Sequence, residues 1–110
     1  MDPRRIGWLV GILLGEGSFT GDGKQPAIAV KMHVRHEATL RGMLDLVPGS
    51  KLYGPYNHSG RDYFLWQVRG DRCGALVRLV LDNDDLLDDH LRDRIGKMVA
   101  AYPRQFSHVL

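Results

Sequence analysis

The 110 residues hold a single cysteine, Cys73. That excludes an internal disulfide and any zinc site built from several cysteines, and it fits a reducing compartment. No apolar run approaches the length needed to span a bilayer, so no membrane partner is expected. The start, Met1-Asp2-Pro3-Arg4-Arg5, leads into an apolar stretch of the kind a signal peptide also has. Gly15-Glu16-Gly17 lacks the small-residue cleavage pattern, however, and the expected location is intracellular, in a cytoplasm. Strong charge of one sign is missing too: a net +2 is too mild to demand a nucleic-acid partner. Low-complexity tracts, linkers and solenoid repeats are absent, so residues 1–110 are read as one domain with one core.

What is present is ordinary for a soluble globular chain, with 44% apolar and 25% charged residues. Arg heavily outnumbers Lys among the bases. Guanidinium is the better fork for phosphate and guanine edges, although a GC-rich genome produces the same bias.

Ile6, Leu9, Val10, Ile12, Leu13 and Leu14, with Trp8, predict a helix from Ile6 to Gly17 that is apolar on too many sides to lie on a surface. It must be covered on more than one face, and Gly17 is placed to end it in a left-handed conformation. Ser18 to Thr20 and Ala27 to Val34 read as strands joined by the Gly- and Pro-containing loop Gly21-Asp22-Gly23-Lys24-Gln25-Pro26. In the second strand Ile28, Val30, Met32 and Val34 alternate with Ala29, Lys31, His33 and Arg35, giving one apolar and one basic face. Glu37 to Val47 is a helix stopped by Pro48-Gly49.

A second hairpin is expected from Lys51–Tyr56 and Tyr63–Arg69, with Asn57 to Asp62 as its polar turn. Phe64, Trp66 and Val68 should face the core, and Tyr63, Leu65, Gln67 and Arg69 should face outward. Asp71 is placed as the N-cap of a helix carrying Cys73, Leu76, Val77, Val80 and Leu81, and Asp82-Asn83-Asp84-Asp85 ends it. A last helix from about Asp88 carries Leu91, Ile95, Met98, Val99 and Tyr102 and stops at Pro103, leaving the last seven or so residues as a loose tail. The order is helix, hairpin, helix, hairpin, helix, helix: an α+β chain with an αββαββα core.

The segment Leu9-Val10-Gly11-Ile12-Leu13-Leu14-Gly15-Glu16-Gly17, continuing Ser18-Phe19, resembles the LAGLIDADG motif of homing endonucleases and related intron maturases. It departs from that pattern mainly at Leu14, where relatives often carry an acid. The resemblance implies the family's fold, an antiparallel four-stranded saddle sheet with helices on one face. It also implies a homodimer, because a chain with one motif pairs its motif helix with a second copy's. The implied interface residues are Leu9, Gly11, Ile12 and Gly15. Gly11 and Gly15, four apart, remove side chains from one face where another backbone would come close. The plainer alternative is that these glycines only let the helix pass over its own sheet.

By the same resemblance Glu16 is the catalytic acid and, with the Gly15 backbone carbonyl, a ligand for Mg²⁺ or another divalent cation. The residue invites that reading on its own, since a carboxylate at a helix C-terminus faces the negative end of the macrodipole. Two such acids across a twofold axis require cations, and oxygen ligands suit Mg²⁺. Duplex DNA is the implied partner, and a two-stranded ribbon fits its major groove. Lys31, His33, Arg35, Lys51, Tyr63, Gln67 and Arg69 are the outward candidates for contact, with Lys24, Asn57, His58 and Arg61 on the turns. Gln67 and Arg69 suit base edges, while Lys31 and Lys51 suit phosphates.

Many relatives place a lysine near the start of the last helix, pointing at the active site. This chain has Asp82-Asn83-Asp84-Asp85 and Asp88-Asp89 there, with Lys97, Arg92, Lys31 and Arg69 as candidate stand-ins. The expected function is a site-specific, homing-type DNA endonuclease of an intron, intein or phage element. The alternative is a non-catalytic DNA- or RNA-binding protein, a regulator or maturase-like, on the same fold. Blander readings serve elsewhere: the acidic run lacks the glycine and twelfth-position acid of a calcium loop, His33 and His36 are poorly set as ligands, and Cys73 lies on a core stripe.

Overall fold

The computed structural model describes residues 2–107. The first helix, α1, runs over Pro3–Glu16 and so begins earlier than the apolar pattern does. Asp2 caps it by accepting from the Arg4 amide at 3.0 Å, and Pro3 occupies the first-turn position where a missing N–H costs nothing. Two hairpins follow, β1 (Gly17–Gly21) with β2 (Pro26–His33), and β3 (Lys51–His58) with β4 (Arg61–Arg69). Between them lies α2 (Glu37–Leu46), entered through a 3-10 turn at Val34–His36. After them come α3 (Arg72–Leu81), a 3-10 turn at Asp84–Leu86, α4 (Asp89–Ala101) and the short α5 (Pro103–Phe106).

The four strands form one antiparallel sheet in the order β1-β2-β4-β3, so the second strand of each hairpin is central. Val30 pairs with Trp66 and Ile28 with Val68 across that seam, and these residues point to the covered face. Against them pack Leu9 and Leu13 of α1, Leu40 and Met43 of α2, Cys73, Val77 and Val80 of α3, and Leu91, Ile95 and Met98 of α4. All the helices therefore supply one core on one side of the sheet. The alternation expected in β4 is the one observed, with Phe64, Trp66 and Val68 buried between more exposed neighbours.

Several local expectations are corrected. Gly17 is not left-handed: at φ −73° and ψ 143° it is extended and already part of β1. A glycine is required there because a Cβ would run into the Leu13 carbonyl. The β3–β4 turn is two residues, not six; Asn57 pairs with Asp62 and His58 with Arg61, leaving Ser59 and Gly60 at φ 53° and 79°. Positive φ at both positions is the hairpin turn whose twist matches the strands, and polar residues on exposed strand ends disguised it. β2 ends at His33, so Arg35 sits in the 3-10 turn and not on the strand. Asp71 precedes α3 but lies in helical conformation and makes no side-chain cap. The presumed tail instead continues into α5, where Phe106 is buried, while residues 108–110 lie outside the described residues. No helix among the described residues is long and apolar enough to cross a membrane.

Candidate active site and nucleic-acid interface

Glu16 is the last residue of α1, and its side chain is exposed. It makes no hydrogen bond or ion pair with any described residue, and α1 has no basic residue in its own last turn. A carboxylate and the helix's free carbonyls therefore meet at one end, with like-signed partial charge.

The compensating cation comes from α4. Arg94 donates through Nη1 to the Gly17 carbonyl at 2.7 Å and through Nη2 to the Leu14 carbonyl at 3.2 Å. Its guanidinium carbon lies 5.3 Å from the centre of the Phe19 ring, while Nε is buried with no partner among the described residues. Sequence reasoning missed Arg94. The signal was available, because position 94 lies three after Leu91 and four before Met98, on the margin of the stripe that α4 buries. The stand-ins expected from this helix are committed elsewhere: Arg92 pairs with Asp84 and Asp89, and Lys97 with Asp93. Asp88 caps α4 by accepting from the Leu91 amide at 2.7 Å, which accounts for part of the acidic segment.

The outer side of α1 is uncovered. A Cβ built on Gly7, Gly11 or Gly15 would meet nothing within 4 Å, so these glycines, four apart, make no close approach to their own sheet. That removes the plainer explanation of Gly11 and Gly15. Trp8 beside them is 40% exposed, and Ile12 is half-buried. Leu9 is a correction: it is fully buried in its own core and is not part of the open face. Its own chain buries Leu9, Val10 and Leu13 of this helix and partly covers Ile6, Ile12 and Leu14, so the side left open is the one that carries Gly11 and Gly15.

On the outer face of the sheet the registers put side chains in rows. Ser18, Ala29, Gln67 and Lys51 form one row, Lys31, Leu65 and Tyr53 a second, and His33, Tyr63 and Tyr56 a third. Lys31 Nζ sits 4.2 Å over the Tyr63 ring, whose centre is 5.5 Å from that of Tyr56. Such stacking holds an ammonium on a surface without neutralising it. Arg35 donates to His33 Nδ1 from both its backbone N–H, at 3.0 Å, and its Nε, at 3.2 Å. Nδ1 is thus the acceptor, which leaves the ring proton on Nε2. Lys31, His33, Arg35, His58, Arg61 and Tyr63 line a concavity of about 590 Å³ at this end of the sheet.

A second concavity, lined by Lys51, Tyr53, Gln67, Arg69 and Arg72, lies further along the face. Arg69 is held there by Asp22, with Nη2 2.7 Å from Oδ2. Lys24 is exposed in the β1–β2 loop. The sheet thus brings together the outward residues expected from alternation, with Arg35 joining them from the turn. Among the described residues no three His, Cys, Asp or Glu side chains gather as a metal site.

No protein-family model matches the chain, and no curated protein matches it. Among solved structures it is similar to that described as the crystal structure of a homing endonuclease, I-TnaI. The TM-score is 0.65 at 20% identity over 91% of this chain and 71% of that one. At this identity the likeness speaks for architecture, and the chain has that α+β fold: a four-stranded antiparallel sheet with its helices on one face, as in a homing endonuclease.

Proposed function

We propose that the chain is one half of a homodimeric, site-specific DNA endonuclease of the LAGLIDADG type, which hydrolyses phosphodiester bonds with a divalent cation held by Glu16 of each subunit. The observation that carries this reading is the open glycine face of α1, which ends on an exposed, unpartnered carboxylate. An apolar helix with one bare face needs a cover, and a second copy laid along Gly7, Gly11, Ile12 and Gly15 supplies one.

The donor set fits a hard divalent ion: carboxylate and carbonyl oxygens at the negative end of a helix, incomplete until a second Glu16 and substrate phosphates join. Such an ion, when bound, supplies an activated water and a stabilised leaving oxygen. The rest falls to the protein. Glu16 and the Gly15 carbonyl bind, Arg94 fixes the helix end that carries them, Lys31, Arg35, Lys51, Arg61 and Lys24 neutralise phosphates, and His33 donates to one from Nε2. Tyr63, Gln67 and Arg69 lie where base edges pass.

Cleavage of a randomised duplex library with Mg²⁺, beside Glu16→Gln and read by sequencing the ends, tests this. Recurrent ends that vanish in the variant are expected. The acidic segment at residues 82–89, with Arg92 and Lys97 tied to its carboxylates and Asp93, favours one second reading: a DNA- or RNA-binding protein that does not cut. Retained duplex with no recurrent ends would move the assignment there.

A further inference from the structure

The cations of the sheet's outer face are not equivalent. Among the described residues Lys31, Lys51, Arg35, Arg61 and Arg72 make no ion pair with a carboxylate, while Arg69 does. The Asp22 carboxylate owes its position to its own loop. Oδ1 accepts from the amides of Lys24 and Gln25, each at 2.8 Å, and leaves Oδ2 for Arg69 Nη2 at 2.7 Å.

The loop is anchored in turn. The Asp22 amide donates to the Gln25 carbonyl at 3.1 Å, and Gly23 N–H donates to the Tyr102 hydroxyl at 2.9 Å, reaching the segment that joins α4 to α5. Gly70 N–H donates to the Pro26 carbonyl at 2.9 Å, which ties the end of β4 to the start of β2. The acid is therefore fixed before the arginine arrives. Amide hydrogen bonds from Gln25 and Lys24, and behind them the charge of Arg69, hold the Asp22 carboxyl below its usual range, so it is ionised wherever DNA would bind.

We propose that Asp22 is a specificity-determining positioning residue, which holds the Arg69 guanidinium for a guanine edge and keeps it off the phosphates. The inference rests on the DNA-binding reading above. A phosphate approaching Arg69 also approaches the Asp22 carboxylate and is repelled by it, so the pair gains little from backbone contact. A guanine presents neutral acceptors, N7 and O6, which feel the donors of the fork without that repulsion. Both side chains are 48% exposed, so the pair itself adds little to stability, and its value lies in orientation. The unpaired Lys31 and Lys51 are left as the phosphate contacts.

Asp22→Asn separates orientation from loop structure, because an amide oxygen still accepts from Lys24 and Gln25 while the charge is lost. Duplexes retained from a randomised library by the full chain are sequenced for wild type, Asp22→Asn and Arg69→Gln, and each protein is titrated with a random-sequence duplex at low salt. Wild type is expected to enrich guanine about fivefold or more at one position of each half-site. In Asp22→Asn that preference falls below about twofold while random duplex binds about threefold to tenfold tighter. Arg69→Gln loses the preference without the gain. An unchanged guanine preference in Asp22→Asn, or weaker binding of random duplex, overturns the proposal. If wild type retains no duplex at all, the DNA-binding reading fails in that arm alone, and this inference falls with it.

Discussion

Cys73 shows how far burial reaches a single group. Its side chain is fully buried, with Sγ 3.4 Å from the Val68 carbonyl oxygen and 3.6 Å from that of Pro26, both of which suit a thiol and repel a thiolate. Burial pushes the thiol up from 9.0 to about 11. The unfolded chain therefore ionises this group earlier than the folded one, so its contribution to stability is complete below pH 9 and drains away as pH rises towards 11. The loss is on the order of 2–3 kcal/mol. Urea unfolding of wild type and Cys73→Ala across that window should show the difference between them shrinking with pH. A constant difference would mean that the thiol is not protected. Its core placement was legible from a helical stripe, but the two carbonyls beneath it belong to β2 and β4, which no local pattern joins to position 73.

At the scale of elements, the link between α4 and the end of α1 matters most. Arg94 satisfies two carbonyls 77 and 80 residues away, which neither helix can do for itself. Arg94→Met keeps the aliphatic stem but removes both charge-assisted bonds, and a cost of about 2–3 kcal/mol in chemical unfolding is expected. Arg94→Lys should recover part of it. A cost below about 0.5 kcal/mol would show that water serves those carbonyls equally well. The same paired measurement separates Arg94 from Arg92 and Lys97, whose ion pairs are exposed on the surface and contribute little. Elements with strong periodicity were legible at this scale: all four strands and the helices α1 to α4 fall within a few residues of their expected spans. The misses lie where one short signal decided. Ser59-Gly60 closed a tighter turn than its polar surroundings suggested, and Phe106, a lone apolar residue after a proline, found a place in the core.

For the whole molecule, the open side of α1 makes a prediction about assembly. Gly11→Leu adds a side chain where the chain itself offers no obstacle, and it replaces a poor helix former, so the folded monomer should gain about 1 kcal/mol or less. The same side chain would block a second helix backbone. Light scattering should then give twice the 12.4 kDa chain mass for wild type and the single mass for the variant. Two monomers would remove the paired Glu16 site. Two dimers would mean that the helices meet through another face.

The sequence by itself determined the class of fold, because alternation and helical spacing are local properties of the chain: the apolar sides of β2 and β4 and the stripes of α3 and α4 could be written down from residue order alone. It also marked Glu16, since an acid closing an apolar helix is anomalous without any structure. Tertiary structure decided what depends on distance between segments. It put Leu9 into its own core and left Gly7 bare, brought Arg94 to the end of α1, and set Asp22 against Arg69 across 47 residues. Periodicity gives the direction in which a side chain leaves its own element, whereas its neighbours on other elements are fixed only once the sheet register and helix packing are set.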